Sequence, residues 1–118
     1  MEEILEIINR VQGVMGSAVL TSDWNAIAAD FREGIRMDGV LSFIAQVGAA
    51  CERATGSAGR GAFYRATVSG DAGRLLIYGI QGGFLAVFAD RSANIGLLRL
   101  SIERAVNQAQ GESAPQAA

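Results

Sequence analysis

The sequence predicts an α/β chain of the α+β type, in which a three-layer αβα sandwich is built on a five-stranded antiparallel sheet. Three observations support this fold class. Apolar residues recur at helical spacing in three segments, five short apolar runs have the length of strands, and turns rich in Gly, Asp or Ser separate those runs. The elements follow one another in the order αββαβββα, so helices are available to cover both faces of the sheet.

The first helix is predicted over residues 2–12, because an apolar stripe recurs there every three or four residues. Gly13 ends this helix. Two strands follow over residues 14–20 and 26–31 and form a hairpin. We expect Asn25 to adopt the left-handed backbone conformation in the turn between them.

The second helix is predicted after a connecting loop over residues 31–37. Asp38 is expected to cap its first turn, and Gly56 is expected to end it, with Arg53 in the last turn. A side-chain oxygen at the start and glycine at the end are the usual signals that bound a helix.

A three-strand meander is predicted next, over residues 61–68, 74–80 and 84–89. Ser92 and Asn94 then offer side-chain oxygens that can cap the third helix. The buried stripe of this helix is predicted to contain Ile95, Leu98, Ile102, Ala105 and Ala109, widened by Leu97, Leu100 and Val106.

The last residues lack this periodicity. Residues 111–118 have the sequence GESAPQAA and are predicted to form a disordered tail. The expected domain therefore spans residues 1–110, a length that can bury a core without disulfides or metal.

A family resemblance follows from two stretches of the sequence. Residues 82–106 read GGFLAVFADRSANIGLLRLSIERAV, a strand, a short polar joint and a helix, which resembles the closing third of the roadblock (dynein light chain) family. Residues 11–16, VQGVMG, match the family's opening before its first strand. The resemblance spans residues 2–109 and implies the family's profilin-like topology. It also implies a homodimer, in which two second helices pack antiparallel and the following strand pairs with its copy.

The second helix has more apolar surface than one sheet can cover. Its sheet-facing side is predicted to contain Val40, Leu41, Ile44, Val47, Gly48 and Cys51, and Phe43, Ala50 and Ala54 extend apolar character around one flank. One interpretation is a core helix covered by the loop of residues 31–37, and the other is a homodimer. For the homodimer, the expected interface contains Val40, Phe43, Val47, Ala50 and Ala54 from the helix, and Phe63, Arg65 and Thr67 from the following strand.

The residue inventory argues against an enzyme. The chain has no His, and all ten of its basic residues are Arg, which removes the commonest general base and the lysine chemistry of Schiff bases and phosphate loops. Cys51 is expected to be a small buried hydrophobe, and the glycine-rich loop of residues 56–61 a flexible connection. We expect no catalytic residues, no cofactor and no metal site.

The expected partners are proteins. The formal charge of −2 argues against nucleic acid, and no apolar run is long enough to span a membrane, so a cytoplasmic location is expected. Trp24, in the turn where the family commonly has Asp-Gly, and Arg91 could contact a partner. Trp24 could equally fold back over its hairpin, and a solvated Arg91 is the commoner outcome.

The function that the resemblance implies is a non-enzymatic homodimeric regulator or scaffold for a Ras-like small GTPase, similar to bacterial gliding-motility regulators. The alternative is a small-molecule sensor domain with a profilin-like fold, whose ligand would occupy a cavity between helix and sheet.

Overall fold

The computed structural model describes residues 2–110 of the chain, which form three helices and five strands. The order αββαβββα is the predicted one. The elements are α1 (Glu2–Asn9), β1 (Val14–Thr21), β2 (Ala26–Phe31), α2 (Met37–Ser57), β3 (Arg65–Gly70), β4 (Gly73–Ile80), β5 (Gly83–Ala89) and α3 (Ile95–Gln110). The predicted tail, residues 111–118, lies outside the described residues.

The strands form one antiparallel sheet in the order β2-β1-β5-β4-β3. In a simple meander each strand would pair only with the strands next to it in sequence. Here β5 instead pairs with β1, and Val19 lies opposite Leu85. Strands β2 and β3 therefore form the two edges. The edge strand β3 pairs with β4 in a register that places Arg65 opposite Tyr78 and Val68 opposite Leu75.

Helices cover both faces of the sheet, as the three-layer prediction requires. On one face α1 and α3 pack on alternate side chains of the central strands, and on the other face α2 does so. The first cluster includes Leu5, Ile8, Leu76, Leu85, Leu98 and Ile102. The second includes Leu20, Trp24, Ile44, Phe63, Ile77 and Phe84.

Both boundaries of α2 differ from the prediction. The N-cap is Arg36, which makes no side-chain capping bond, and Asp38 lies inside the first turn instead of at the cap. The helix continues past Gly56 to Ser57, so Arg53 is not in its last turn. A carboxylate in the first turn still interacts favourably with the helix dipole, which explains why a cap signal was visible close to the true start.

The first strand of the predicted meander starts later than expected, at Arg65 instead of residue 61. Gly59 and Gly61 both have left-handed backbone conformations, with φ of 69° and 85°, so the chain is not extended there. The segment instead turns Phe63 into the α2-side core, where it is 8% exposed. The apolar character of this segment reflects core packing and not strand pairing.

The third helix begins as predicted. Asn94 Oδ1 accepts a hydrogen bond of 3.0 Å from the Leu97 backbone N–H, which is the expected capping contact. The predicted width of its buried stripe is wrong, because Leu97 is 55% and Leu100 is 44% exposed. Helix α1 is also shorter than predicted and ends at Asn9.

Candidate functional site

An exposed apolar surface runs along α2 toward the edge strand β3. Phe43 is 44% exposed, and Met37 and Val68 are each more than one-third exposed. The loop before α2 therefore does not cover Phe43, contrary to the interpretation of α2 as a fully covered core helix. We call Met37, Val40, Phe43 and Val68 the α2–β3 surface.

A groove of about 560 Å³ lies in this surface, between the first half of α2 and the β3–β4 turn. Its helix side is formed by Gly39, Val40 and Phe43, and its strand side includes Val68 and Leu75. Such a groove suits an apolar occupant, because covering apolar surface removes it from water.

The outer edge of β3 adjoins the α2–β3 surface. Within residues 2–110, β3 pairs with β4 and with no other strand, so one row of its backbone N–H and C=O groups is available to another strand. Val68 faces the α2 side of the sheet, because its partner Leu75 belongs to the α2-side cluster. Arg65 and Thr67 face the opposite side, where Tyr78 and α3 lie.

Most of the predicted interface positions lie at the surface. Phe43, Ala50 and Ala54 are exposed on α2, Val40 and Val47 are half-buried, and Arg65 and Thr67 are exposed on β3. The expectation that Phe63 belongs to the pairing strand is wrong. Its ring stacks on Phe84 with centroids 5.8 Å apart, so little of its side chain is left for a second subunit.

Trp24 is a core residue, 8% exposed, so of its two predicted roles the structure shows the one in which it folds back over its hairpin. Its ring stacks on Phe84 at 4.0 Å between centroids and 10° between planes, and its Nε1–H donates a 2.8 Å hydrogen bond to Glu52 Oε1 on α2. Trp24, and not Asn25, adopts the left-handed backbone conformation, with φ of 68°. A bulky residue in this conformation is strained, and burial of the indole ring offsets that strain.

Arg91 lies exposed in the joint between β5 and α3. Its neighbour Asp90 orders this joint, because Asp90 Oδ1 accepts hydrogen bonds from the Ser92 hydroxyl at 2.6 Å and the Ser92 backbone N–H at 2.9 Å. These bonds, the hydroxyl first, lower the pKa of the Asp90 carboxyl below its ordinary value.

No group of three or more His, Cys, Asp or Glu side chains within residues 2–110 is arranged to hold a metal ion. Cys51 is a free, half-buried thiol that packs on the α2-side core. No helix in the same range is long and apolar enough to cross a bilayer.

Sequence reasoning missed a polar cluster between β3 and α3. Arg99 Nη2 donates a 3.2 Å hydrogen bond to Thr67 Oγ1, and Arg65 Nη2 lies 3.5 Å from Glu103 Oε2. Together with Tyr78 these residues form what we call the β3–α3 cluster. The i to i+4 spacing of Arg99 and Glu103 was visible in the sequence, but nothing in it indicated that β3 would lie beside them.

The architecture matches known structures closely. The Roadblock/LC7 domain from Streptomyces avermitilis superposes with a TM-score of 0.78, over 93% of this chain and 94% of that chain. The chain has the roadblock fold. Other roadblock-fold neighbours are MglB of Myxococcus xanthus, with a TM-score of 0.75 over 91% of both chains, and the gliding protein MglB from Thermus thermophilus, with a TM-score of 0.75 over 90% of this chain and 82% of that one.

Sequence identity to these roadblock-fold structures is low, at 17% for the Streptomyces domain and 18% and 19% for the two MglB proteins. Two uncharacterized proteins of Methanocaldococcus jannaschii are each 26% identical over 108 residues, which are 92% of this chain and 95% of theirs. No protein-family model matches the chain. The comparisons thus establish the fold, over nearly the whole length of the chain.

Proposed function

We propose that this chain is a homodimeric, non-enzymatic regulator or scaffold for a Ras-like small GTPase in the cytoplasm. One observation supports this most directly: the exposed apolar α2–β3 surface lies next to an unpaired strand edge. A surface of this composition is typical of a protein interface.

A second copy of the chain suits both features at once. Two-fold pairing of β3 with its copy would satisfy the backbone groups at the edge and join two five-stranded sheets into one. The same rotation would bring the two α2 helices together, so that Phe43 is removed from water. The small residues Ala50 and Ala54 on the exposed side of α2 let a second helix approach closely.

The proposed interface therefore centres on α2. Val40, Phe43, Val47, Ala50 and Ala54 would contact the second subunit through the helix, and Arg65 and Thr67 would lie at the rim of the paired strands. Phe63 and Trp24 would contribute indirectly, because they pack in the core beneath α2 and hold the helix in place.

The small GTPase as partner is supported by the family resemblance together with the fold. The roadblock family, which the sequence resembles, includes regulators of Ras-like GTPases. Two of the structural neighbours are MglB proteins, one of them described as a gliding protein. A non-enzymatic role is supported by the absence of His and Lys from the sequence.

The small-molecule sensor is less well supported. A ligand site between α2 and the sheet would need open space in the middle of that layer, and there the Trp24 ring lies against Phe84 and Phe63. These rings fill the middle of the layer, which leaves the groove beside the β3–β4 turn as the place for a small ligand.

Two measurements test the proposal. Light scattering coupled to gel filtration should give the mass of two chains. Purified Ras-like GTPases loaded with GDP or with a GTP analogue should then be mixed with the dimer, and we expect co-elution with one nucleotide form. A monomeric mass at high concentration would contradict the dimer, and failure to bind any small GTPase of the source organism in either form would contradict the partner.

A further inference from the structure

The β3–α3 cluster brings two guanidinium groups to the sheet face opposite α2. Arg65 comes from β3 and Arg99 from α3, and both are exposed. The Arg65 guanidinium carbon lies 4.7 Å from the centroid of the Tyr78 ring and 5.6 Å from that of Tyr64, which holds the group above the aromatic rings. Arg99 is held by its hydrogen bond to Thr67. Both charges are thus positioned before any partner arrives.

The Tyr78 ring lies beneath the Arg65 guanidinium. Tyr78 is only 5% exposed, and its hydroxyl has no hydrogen-bond partner among residues 2–110. Burial raises the pKa of this hydroxyl, the Arg65 guanidinium opposes the rise, and Glu103 and Arg99 also act on it. The hydroxyl therefore stays protonated and can donate a hydrogen bond, which is what an incoming oxyanion requires.

The ion pair between Glu103 and Arg65 is weak. Its carboxylate lies 3.5 Å from Arg65, whereas a strong charge-assisted hydrogen bond spans about 2.7–2.9 Å. The two side chains are 44% and 43% exposed, so water competes with the pair. A carboxylate thus already lies beside Arg65, but it is held loosely enough to be replaced.

We propose that Arg65 and Arg99, together with the hydroxyl of Tyr78, bind a carboxylate from an acidic segment of a partner protein, which displaces Glu103. Planar guanidinium groups match the geometry of a carboxylate, and displacement of Glu103 leaves two positive charges facing the ligand. Arg65 would have to shift from the ring of Tyr78 to expose the hydroxyl. Every residue of the site belongs to one protomer, and the site needs no GTPase. Arg65 also lies at the rim of the proposed dimer interface, so the mass of Arg65→Gln is measured by light scattering beside the titration, whereas Arg99 lies outside that interface.

The test is a titration of the full chain with a short poly-glutamate peptide, followed by NMR signals of the arginine side chains and of Tyr78. We expect saturable shifts at Arg65, Arg99 and Tyr78, which weaken as salt is added. Arg65→Gln and Arg99→Gln should each weaken binding about tenfold, since each removes charge-assisted hydrogen bonds. The matched control is Arg104→Gln, an exposed arginine on α3 outside the cluster, which should leave the affinity unchanged.

The variant Glu103→Gln distinguishes a carboxylate-binding site from an ion pair that only stabilises the fold. Removal of the internal competitor should tighten peptide binding by about two- to fivefold, in line with the small worth of an exposed pair. A variant that had lost its fold could not gain affinity in this way. Unchanged or weaker binding by Glu103→Gln, an equal loss in Arg104→Gln, or shifts with inorganic phosphate but none with the peptide would each overturn the proposal.

Discussion

The indole ring of Trp24 lies against Gly48 of α2, in the place that a side chain at position 48 would occupy. Three carbons of the six-membered ring approach the point where a Cβ would be, closer than any real contact allows. The tip of the first hairpin is thereby held under the helix that presents Phe43 to the outside. The hydrogen bond from Trp24 Nε1 to Glu52 secures the same contact one turn further along α2.

Gly48→Ala should destabilise the fold by about 2 kcal/mol, because an extra methyl group overpacks this contact. Chemical denaturation monitored by the fluorescence of Trp24, the only tryptophan in the sequence, measures the change. Gly56→Ala is the control on the same helix, since no atom lies within 4 Å of its would-be Cβ. That variant should be unchanged or more stable by up to about 1 kcal/mol. Equal losses in both variants would argue against the contact.

The bond between Trp24 and Glu52 should appear as a coupling energy. Trp24→Phe and Glu52→Ala each remove it, so the double variant should be about 1–2 kcal/mol more stable than the sum of the single losses predicts. Stability of the four proteins in urea, read by circular dichroism, gives this value. The pair Trp24→Phe and Glu33→Ala should be additive, because Glu33 lies in the loop before α2. Additivity in the first cycle would contradict the bond.

Phe43→Arg should convert the proposed dimer to a monomer, because it places a charge in the centre of the apolar contact between two α2 helices. Light scattering after gel filtration measures the mass. Leu100→Arg is the matched control, since Leu100 is also 44% exposed but lies on α3. We expect it to remain dimeric. A dimer mass for Phe43→Arg would rule out this helix as the interface.

Asp90→Asn should destabilise the joint before α3 at neutral pH, and the deficit should vanish in acid. The folded state lowers the pKa of Asp90, so the ionised carboxylate stabilises it above the unfolded value of about 4. This stabilisation is lost as the pH falls through the lower folded-state value. The melting temperatures of the unmodified protein and of Asp90→Asn should therefore converge as the pH is lowered from neutral to about 3. Asp71→Asn, in the β3–β4 turn, is the charge-matched control. A difference in melting temperature between Asp90→Asn and the unmodified protein that does not change with pH would contradict the role of the Asp90 carboxylate.

Asn94→Ala should cost about 1 kcal/mol, because the Leu97 backbone N–H loses its capping acceptor. Urea denaturation followed by circular dichroism reports the loss. Asn107→Ala, an exposed asparagine near the other end of α3, should change stability much less. The capping role would be disproved by equal effects at the two positions.

Local sequence signals proved reliable where a contact involves neighbours in the chain. The alternation of strands and helices, the Asn94 cap and the buried stripe of α1 all follow from spacings of a few residues, and all are present. The same reasoning failed at Phe63, where an apolar segment of strand length packs as an irregular loop on Phe84. Periodicity indicates that a residue will be buried, but not against which element.

The same distinction between local and long-range contacts applies to the candidate site. The apolar excess of α2 was visible from spacing alone, and Phe43 is exposed as a partner-facing residue would be. Trp24 was not assigned from the sequence, because its burial depends on a glycine at position 48, which lies in a different element.

The amino-acid order alone determined the number and succession of the elements, the apolar character of α2 and the lack of His and Lys, since each depends on residue type and short-range spacing. Only the tertiary structure decided that Trp24 lies beneath α2, that Arg65 lies beside Glu103 and over Tyr78, and that Arg99 reaches Thr67. Those contacts join elements that are far apart in the chain, and the path of the turns and the strand order bring them together.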